Sequence, residues 1–250
     1  MKVDDKILKK AFKILRRNYG CPGKDGISIK NIKDRYERFE EKLIYQIEDN
    51  SYIFSDPIFT EFIDFSNKKR VVCVYVLLDR WLQHYLKLIV SPQIFNILQP
   101  YVYGNIFGRT NIQATSRILE YQTNYVLKLD ISNFFTSIDK ERALKNLYSI
   151  GKNDEMETLI KESFASPNST GLPLGHVLSP IISNLYLNEF DNYFPKRYSR
   201  FCDDLIFACD DLVEIEAVIK KTRRYLSELG LTLNESKIKI FNSPKMEELL

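Results

Sequence analysis

Residues 127 to 132 alternate between apolar and polar, a period that is typical of a β-strand with one buried face. Leu127, Leu129 and Ile131 fall on the apolar side. Lys128 and Asp130 fall on the opposite side. The pattern therefore predicts a strand with an apolar core face and with Asp130 on its other face.

A second strand-forming region surrounds an Asp-Asp pair. The segments 198–201 and 205–208 are rich in aromatic and apolar residues, and Asp203 and Asp204 lie between them. This arrangement predicts a β-hairpin with both carboxylates at its tip.

A helix is predicted between these two regions. Ser179 and Pro180 suit an N-cap and a first helical position, and the apolar spacing after them continues through Phe190 for about three turns. The preceding GLPLG predicts a tight loop, and the amides at the start of such a helix would favour a phosphate nearby. An ordinary loop-to-helix junction would have the same pattern.

A second Asp-Asp pair, Asp210 and Asp211, precedes a helical pattern instead of a strand. We therefore expect this pair to be solvated and to cap a helix over 213–229. Gly230 would close that helix.

The chain starts with a helical pattern that has an apolar and a basic side. Leu8, Phe12 and Leu15 share the apolar stripe, and Lys13 and Arg17 lie with other basic residues on the opposite side. That side either follows the phosphate backbone of a nucleic acid or is simply solvated. The longest apolar run, VVCVYVLL at 71–78, is too short to span a bilayer and is interpreted as a buried strand.

The composition limits which classes of protein and of metal site are possible. With 250 residues the chain can bury a sizeable core, and its net charge of +3 is only mildly basic for a nucleic-acid-binding protein. The four cysteines lack the paired short spacing of a zinc site. The start, MKVDDKILKK, is charged and unlike a signal peptide. We expect a cytoplasmic protein with reduced thiols and no membrane contact.

The three carboxylates Asp130, Asp203 and Asp204 indicate metal chemistry. If the hairpin tip lies beside the end of the first strand, these groups converge, and carboxylate oxygens suit Mg²⁺. Two such ions roughly 3.5 to 4 Å apart clamp the attacking and leaving oxygens of a phosphoryl transfer. We therefore expect two Mg²⁺ ions, with Mn²⁺ as a substitute, in a polymerase or nuclease type of site.

Four segments of the chain occur in a characteristic order, namely LKLDISNFFTSID, GLPLGHVLSP, RFCDD and LGLTLNESKIKIF. In order and spacing they resemble the palm motifs of reverse transcriptases, in particular those of bacterial retrons, group II introns, diversity-generating retroelements and phage-defence systems. Upstream, PGKDGIS, KKRVVCVYVLLDRWLQHYL and YVYGNIFGRTNIQAT resemble degenerate fingers segments of the same enzymes. The resemblance covers nearly the whole chain.

The resemblance implies that the three aspartates bind the metal ions together with the backbone carbonyl of Ile131. Lys237 matches a family lysine near the leaving pyrophosphate, and Lys239, on the same predicted strand, is the alternative. Residues expected to contact nucleic acid are Arg109, Lys13 and Arg17.

Nucleotide binding is implied for five residues: Lys69, Arg70, Phe135, Leu174 and Gly175. The ring of Phe135 would reject a ribose 2′-hydroxyl by steric clash, whereas the neighbouring Phe134 is expected in the core. Leu174 stands where many reverse transcriptases have a glutamine that contacts the incoming nucleotide. Leucine cannot make that hydrogen bond, so we expect relaxed fidelity or unusual templating.

The predicted fold is α+β, with fingers in 1–122 and a palm in 123–250 that contains a fingers insertion around 145–170. The palm would be a split βαβ antiparallel sheet of the ferredoxin-like type, with helices on one face. The sequence ends where the resemblance leads into a thumb. The thumb is therefore expected to be absent from these residues, through truncation, supply by a partner chain, or an enzyme that works without one.

The function implied is RNA-directed DNA polymerisation, with dNTPs, an RNA template and a DNA or RNA primer. A cognate non-coding RNA would be a further partner, and antiviral defence is the expected role. Alternatives are a template-independent DNA polymerase, a palm module that binds nucleic acid without polymerising, and a palm-type nucleotide cyclase.

Overall fold

The computed structural model describes residues 1–17, 21–63, 67–151, 153–165 and 171–249. These residues form two compact units. The first unit comprises Met1–Gln93 and Leu147–Ser179, and the second comprises Ile94–Asn146 and Pro180–Leu250. The division into fingers at 1–122 and palm at 123–250, with an insertion around 145–170, stays a prediction, and residues 152 and 166–170 of that insertion lie outside the described ranges.

The described ranges contain both helices and strands. The helices are α1 Asp5–Leu15, α2 Ile29–Asp34, α3 Tyr36–Glu48, α4 Leu77–Ile97, α5 Asn111–Leu119, α6 Phe134–Ser137, α7 Lys140–Tyr148, α8 Asp154–Ser163, α9 Ser179–Tyr186, α10 Asn188–Asn192, α11 Leu212–Glu228 and α12 Met246–Leu249. The strands are β1 Ile58–Ile63, β2 Lys69–Val74, β3 Tyr125–Asp130, β4 Tyr198–Phe201, β5 Asp204–Cys209 and β6 Lys239–Asn242. Among the described helices, none has the length and apolar character needed to cross a membrane.

The amphipathic helix predicted at the start of the chain is α1. Its apolar stripe is buried, and the indole N–H of Trp81 in α4 donates to the carbonyl of Leu8 at 2.9 Å. The helix ends at Leu15 with Arg16 as its C-cap, so Arg17 lies in the turn beyond the helix and not on its face. Lys13 is exposed on α1 as expected.

The prediction of a buried strand over 71–78 is wrong in part. The strand β2 ends at Val74, and α4 begins at Leu77 and takes up the rest of the apolar run. Cys73 is buried, but Val71 is 50% exposed. The reason is that β2 pairs with β1 in a two-stranded antiparallel sheet, which leaves much of both strands accessible.

The sheet of the second unit has the predicted α+β architecture. Its strand order is β4-β5-β3-β6, and all neighbouring strands are antiparallel. Counted along the chain, this is the order 2-3-1-4 of a ferredoxin-like sheet, because β3 and β4 are separated by β5. The prediction of a split βαβ antiparallel sheet is confirmed.

One detail of the prediction needs correction, because helices contact both faces of this sheet. On one face, Phe194 just after α10 packs against Tyr198 and Phe207, with ring centroids 5.5 and 5.0 Å apart. On the other face, α5 and α12 cover an apolar cluster. The members of this cluster are Ile118, Val126, Ile206, Ala208 and Leu249. On that second face, the strand residues at the end of the sheet away from the aspartates are apolar, so helices bury them as well.

The capping residues that the sequence indicates define α11 but not the start of α9, where Ser179 is the first helical residue and its hydroxyl donates to the carbonyl of Pro173 at 2.8 Å. The carboxylate of Asp211 accepts from the amide of Glu214 at 2.7 Å and caps α11, and Asp210 forms an ion pair with Arg197 at 2.7 Å. Gly230 lies just beyond α11 with a φ of 71°. The helix expected from Ser179 through Phe190 is interrupted at Leu187 and continues as α10.

Replacing Ile118 by Ala should destabilise the protein, because this side chain is 1% exposed and fills the space between α5 and the sheet. We expect the free energy of unfolding to fall by about 2–5 kcal/mol, as for other buried Ile→Ala changes. Ile112 lies on the same helix but is 56% exposed, so Ile112→Ala should change that free energy by less than about 0.5 kcal/mol. Urea denaturation measures both, and equal losses would contradict the packing of Ile118 on the sheet.

Candidate active site

Two of the three predicted carboxylates face each other across neighbouring strands. Asp130 ends β3, Asp204 begins β5, and the two residues are direct partners in the antiparallel register. Direct partners project from the same face of a sheet with Cβ atoms about 5 Å apart, and like charges there are destabilising. The register therefore concentrates negative charge at this end of the sheet.

Asp203 lies in the two-residue connection between β4 and β5, next to Cys202. The hairpin predicted from 198 to 208 is therefore confirmed, with Asp203 in its turn and Asp204 in the strand. Cys202 has a φ of 57°, a left-handed conformation that is uncommon for a residue with a side chain. This tight turn places Asp203 at the same end of the sheet as Asp204.

Asp130 is held by two side chains from the segment after α11. The ammonium of Lys237 lies 2.8 Å from Oδ2, and the amide Nδ2 of Asn234 donates to Oδ1 at 2.9 Å. The backbone N–H of Asn234 also donates to the carbonyl of Asp130 at 2.8 Å. Sequence reasoning missed Asn234. Its position three residues before Lys237 in NESK was the available signal.

The charges of the three carboxylates affect one another. Burial raises the pKa of Asp203 and of Asp204 above the ordinary carboxyl value, and the negative charge of Asp130 adds to both increases. The hydrogen bond to Asp130 raises the pKa of Lys237, which therefore stays protonated. Lys237 thus supplies a positive charge at the end of the sheet where the three carboxylates lie.

The carboxylates are near one another but are not arranged as a finished metal centre. Within the described ranges, no three or more His, Cys, Asp or Glu side chains form a group that could hold a metal ion. The donor set fits magnesium, since carboxylate oxygens are its preferred protein ligands. Both oxygens of Asp130 accept bonds from Asn234 and Lys237, so a metal ion would have to replace the ammonium.

The prediction that Lys237 lies on a strand is wrong. Lys237 ends a 3-10 turn, Glu235–Lys237, and only Lys239 belongs to β6, where it is the direct partner of Lys128. Both lysines line a cavity of about 330 Å³ at the end of the sheet. Its lining residues are Lys128, Leu129, Asp130, Asp204, Lys237, Lys239, Phe241, Glu248 and Leu249. The turn directs Lys237 toward Asp130, which a continuous strand pattern could not indicate.

Two further residues of the predicted site follow β3 directly. Ile131 is 1% exposed and forms an isolated bridge with Leu233. Phe134 is buried, and Phe135 is half-buried with its ring centroid 5.5 Å from that of Phe134. The expected division between a core ring and an accessible ring is therefore present.

The predicted nucleotide-binding residues Lys69, Arg70, Leu174 and Gly175 belong to the first unit. The amide of Cys73 in β2 donates to the carbonyl of Leu174 at 2.7 Å, which joins the GLPLG loop to the strand that carries Lys69 and Arg70. Gly175 has a φ of 96°, and a Cβ there would overlap the carbonyl oxygen of Cys73. The structure therefore brings the loop and the basic strand together, and their role in nucleotide binding stays a prediction.

Arg109 is half-buried and contacts its own loop. Its guanidinium donates to the carbonyls of Val102, Pro100 and Gln99. These bonds tie the two ends of the loop between Gln99 and α5 to each other. Contact of Arg109, Lys13 or Arg17 with nucleic acid stays a prediction.

Comparison with known proteins identifies one family. The family described as reverse transcriptase (RNA-dependent DNA polymerase) matches residues 61–249. The chain is 28% identical over 177 residues to the retron Mx65 reverse transcriptase of Myxococcus xanthus, covering 62% of this chain and 39% of that protein. It is 35% identical over 103 residues to the retron Ec83 reverse transcriptase of Escherichia coli, covering 35% of this chain and 33% of that protein. The chain thus spans well under half of the length of these relatives.

Solved structures with a similar fold include two telomerases. A telomerase from Candida tropicalis, truncated from its C-terminal domain, has a TM-score of 0.58 at 12% identity and covers 76% of this chain and 50% of that one. A telomerase from Candida albicans in complex with a fragment of telomeric RNA has a TM-score of 0.57 at 12% identity. The match covers 92% of this chain and 51% of that one. At this identity the likeness shows the fold alone.

Gly175→Ala should destabilise the protein more than Gly26→Ala. Both glycines have a positive φ, so each change costs about 1–2 kcal/mol of backbone strain. At Gly175 the new Cβ would overlap the carbonyl oxygen of Cys73. At Gly26 no atom lies within 4 Å of the new Cβ. We expect a further loss of at least about 1 kcal/mol at Gly175, measured by urea denaturation. Equal losses would contradict the close approach of the loop to β2.

Asp204→Asn should stabilise the protein in a buffer that contains EDTA. The change removes one of two like charges at directly opposed positions, which is worth about 0.2–1 kcal/mol. Asp210→Asn is the matched control, because it breaks an exposed ion pair with Arg197 and should lower stability by at most about 1 kcal/mol. Urea denaturation would reject the repulsion argument if Asp204→Asn lowered stability.

Proposed function

Because the chain belongs to the reverse transcriptase (RNA-dependent DNA polymerase) family, we propose that it extends a primer with dNTPs on an RNA template. The observation that carries the proposal is the pair Asp130 and Asp204, opposed in register, with Asp203 in the adjoining turn. A charge arrangement that costs stability in the free protein is expected where a site is built for a cation.

Asp130, Asp203 and Asp204 would hold two Mg²⁺ ions, or Mn²⁺ in their place, together with the backbone carbonyl of Ile131. When bound, such ions stabilise the charge that develops on the attacking and leaving oxygens of phosphoryl transfer. The protein's part is to present the three carboxylates from two strands and one turn. The sheet register supplies that placement.

Lys237 compensates the negative charge of Asp130 in the free protein, since its ammonium lies 2.8 Å from Oδ2. Asp130 would use that same oxygen to hold an ion. The ammonium would then be available to the negatively charged leaving group, the role that the family resemblance implies. Asn234 keeps its bond to Oδ1 and would hold the carboxylate in orientation during this exchange.

Nucleotide binding is proposed for each of the five residues that the resemblance implies. Lys69 and Arg70 would contact the triphosphate, and Leu174 and Gly175 would support it from the loop that is bonded to β2. Phe135, which is half-buried, would exclude a ribose 2′-hydroxyl. A deoxynucleotide preference follows from that exclusion.

RNA is the proposed template, and a DNA or RNA primer is the second nucleic-acid partner. Two relatives are named as retron reverse transcriptases, which supports a cognate non-coding RNA as a further partner. A partner chain that supplies a thumb, a cytoplasmic location and a role in antiviral defence are part of this proposal. Arg109, Lys13 and Arg17 are the basic residues proposed to contact nucleic acid.

The test is incorporation of labelled dNTPs in the presence of Mg²⁺, with a primed RNA template, a primed DNA template and no template. The double change Asp203→Asn and Asp204→Asn should reduce incorporation on RNA by at least about a hundredfold, because it removes metal ligands that lower the barrier by several kcal/mol. Asp210→Asn, from the second Asp-Asp pair, is the control and should retain activity.

Three results would overturn the proposal. Equal incorporation with and without template would indicate the template-independent polymerase. Tight binding of a primed RNA template without incorporation would indicate the non-polymerising module. Activity that survives the double change at Asp203 and Asp204 would place the catalytic site elsewhere.

A further inference from the structure

An arginine is completely buried next to the turn that carries Asp203. Arg200 in β4 and Asp191 in α10 each have 0% exposed side chains, and Nη2 of Arg200 lies 2.6 Å from Oδ2 of Asp191. The second carboxylate oxygen of Asp191 accepts from Nε of Arg200 at 2.9 Å and from the hydroxyl of Tyr198 at 2.8 Å. Burial alone would lower the pKa of Arg200, but the Asp191 carboxylate raises it overall. The buried group is therefore a charged pair.

Every N–H of this guanidinium has an acceptor. Besides the two bonds to Asp191, Nη1 donates to Oδ1 of Asn184 at 2.9 Å and to the carbonyl of Cys202 at 3.0 Å. Nη2 also approaches the carbonyl of Asn184 at 3.5 Å. An arginine has five N–H donors, and a fork of fixed shape that uses all of them defines the positions of its partners.

The bond to Cys202 connects this network to the turn before Asp203. On its other side the turn meets a second loop, because a Cβ on Gly104 would overlap the backbone nitrogen of Cys202. Asn105 Nδ2 lies 3.3 Å from Sγ of Cys202. The amide of Asn184, which binds Arg200 through its oxygen, donates to the carbonyl of Gly104 at 2.7 Å. Asn184 thus joins both supports of the turn.

The turn needs such support. Cys202 has a φ of 57°, and a residue with a side chain keeps that conformation only where its surroundings impose it. A buried ion pair is a weak source of stability, since well-packed apolar residues often do as well or better. A fully bonded arginine at this place is better explained by the geometry that it imposes on Cys202.

We propose that Arg200, oriented by Asp191 and Asn184, is a positioning residue that fixes the Cys202–Asp203 turn and so presents Asp203 and Asp204 to the metal ions. This inference rests on the proposed function for its catalytic consequence. Its structural part, the rigidity of the turn, can be measured without activity.

The direct variant is Arg200→Lys, which keeps a positive charge opposite Asp191 but lacks the fork that reaches Cys202 and Asn184. The second variant is Asn184→Ala, which leaves the ion pair intact and removes the link between Arg200 and Gly104. Tyr186→Phe is the matched control. It removes one buried hydrogen bond, to the carbonyl of Leu229, from the same helix as Asn184 but away from the turn.

Alkylation of Cys202 by iodoacetamide reports on the turn itself. The experiment uses the full chain with Cys21, the exposed cysteine, changed to Ser, and mass spectrometry to follow Cys202 at one pH. We expect roughly tenfold faster alkylation of Cys202 in Arg200→Lys and Asn184→Ala, because local opening exposes the thiol. Tyr186→Phe should match the parent protein even though its global stability is lower.

The catalytic consequence is read from the Mg²⁺ dependence of dNTP incorporation. Both variants should need a severalfold higher Mg²⁺ concentration for half-maximal activity, whereas Tyr186→Phe should not. Parent-like alkylation and Mg²⁺ dependence in either variant that folds would overturn the inference. A parent protein that makes no DNA would refute the proposed function, and the alkylation rates would still decide whether Arg200 holds the turn.

Discussion

The arrangement of the candidate site depends on the register between β3 and β5. That register places Asp130 directly opposite Asp204 on one face of the sheet. A slip of one residue would send the two carboxylates to opposite faces. The apolar partners farther along the strands, such as Val126 with Ala208, hold this register because both are buried against α5 and α12. The apolar end of the face therefore fixes the geometry of its charged end.

The repulsion that this register creates is offset by the segment after α11. Asn234 and Lys237 reach Asp130 from a segment that is more than a hundred residues away in sequence. The 3-10 turn ends in Lys237, and β6 then pairs with β3 on the side away from β5. The positive charge compensates Asp130 where no direct strand partner could do so.

Much of the fold could be predicted because it depends on local patterns. Alternation located β3 and the β4–β5 hairpin, and capping residues located α11. The errors arose where distant residues decide the outcome. The apolar run 71–78 has one composition but two structures, since pairing with β1 ends at Val74 and helix packing begins at Leu77. Asn234 was missed because its partner Asp130 is 104 residues away in sequence, and Arg200 was missed because an arginine is not ordinarily expected to be buried.

Arg200 shows why residue type alone misleads at such a site. An arginine in a short strand beside an Asp-Asp turn would ordinarily be expected in solvent, yet its position in β4 points into the core toward α9 and α10. If Asp203 and Asp204 bind metal ions as proposed, they must stay accessible, so they cannot be fixed by burial of their own side chains. Their backbone must instead be fixed by contacts on the buried side of the turn. A buried group with several directional hydrogen bonds can do this where an apolar side chain cannot. The buried Arg200–Asp191 pair and the half-buried aspartates are thus two parts of one requirement.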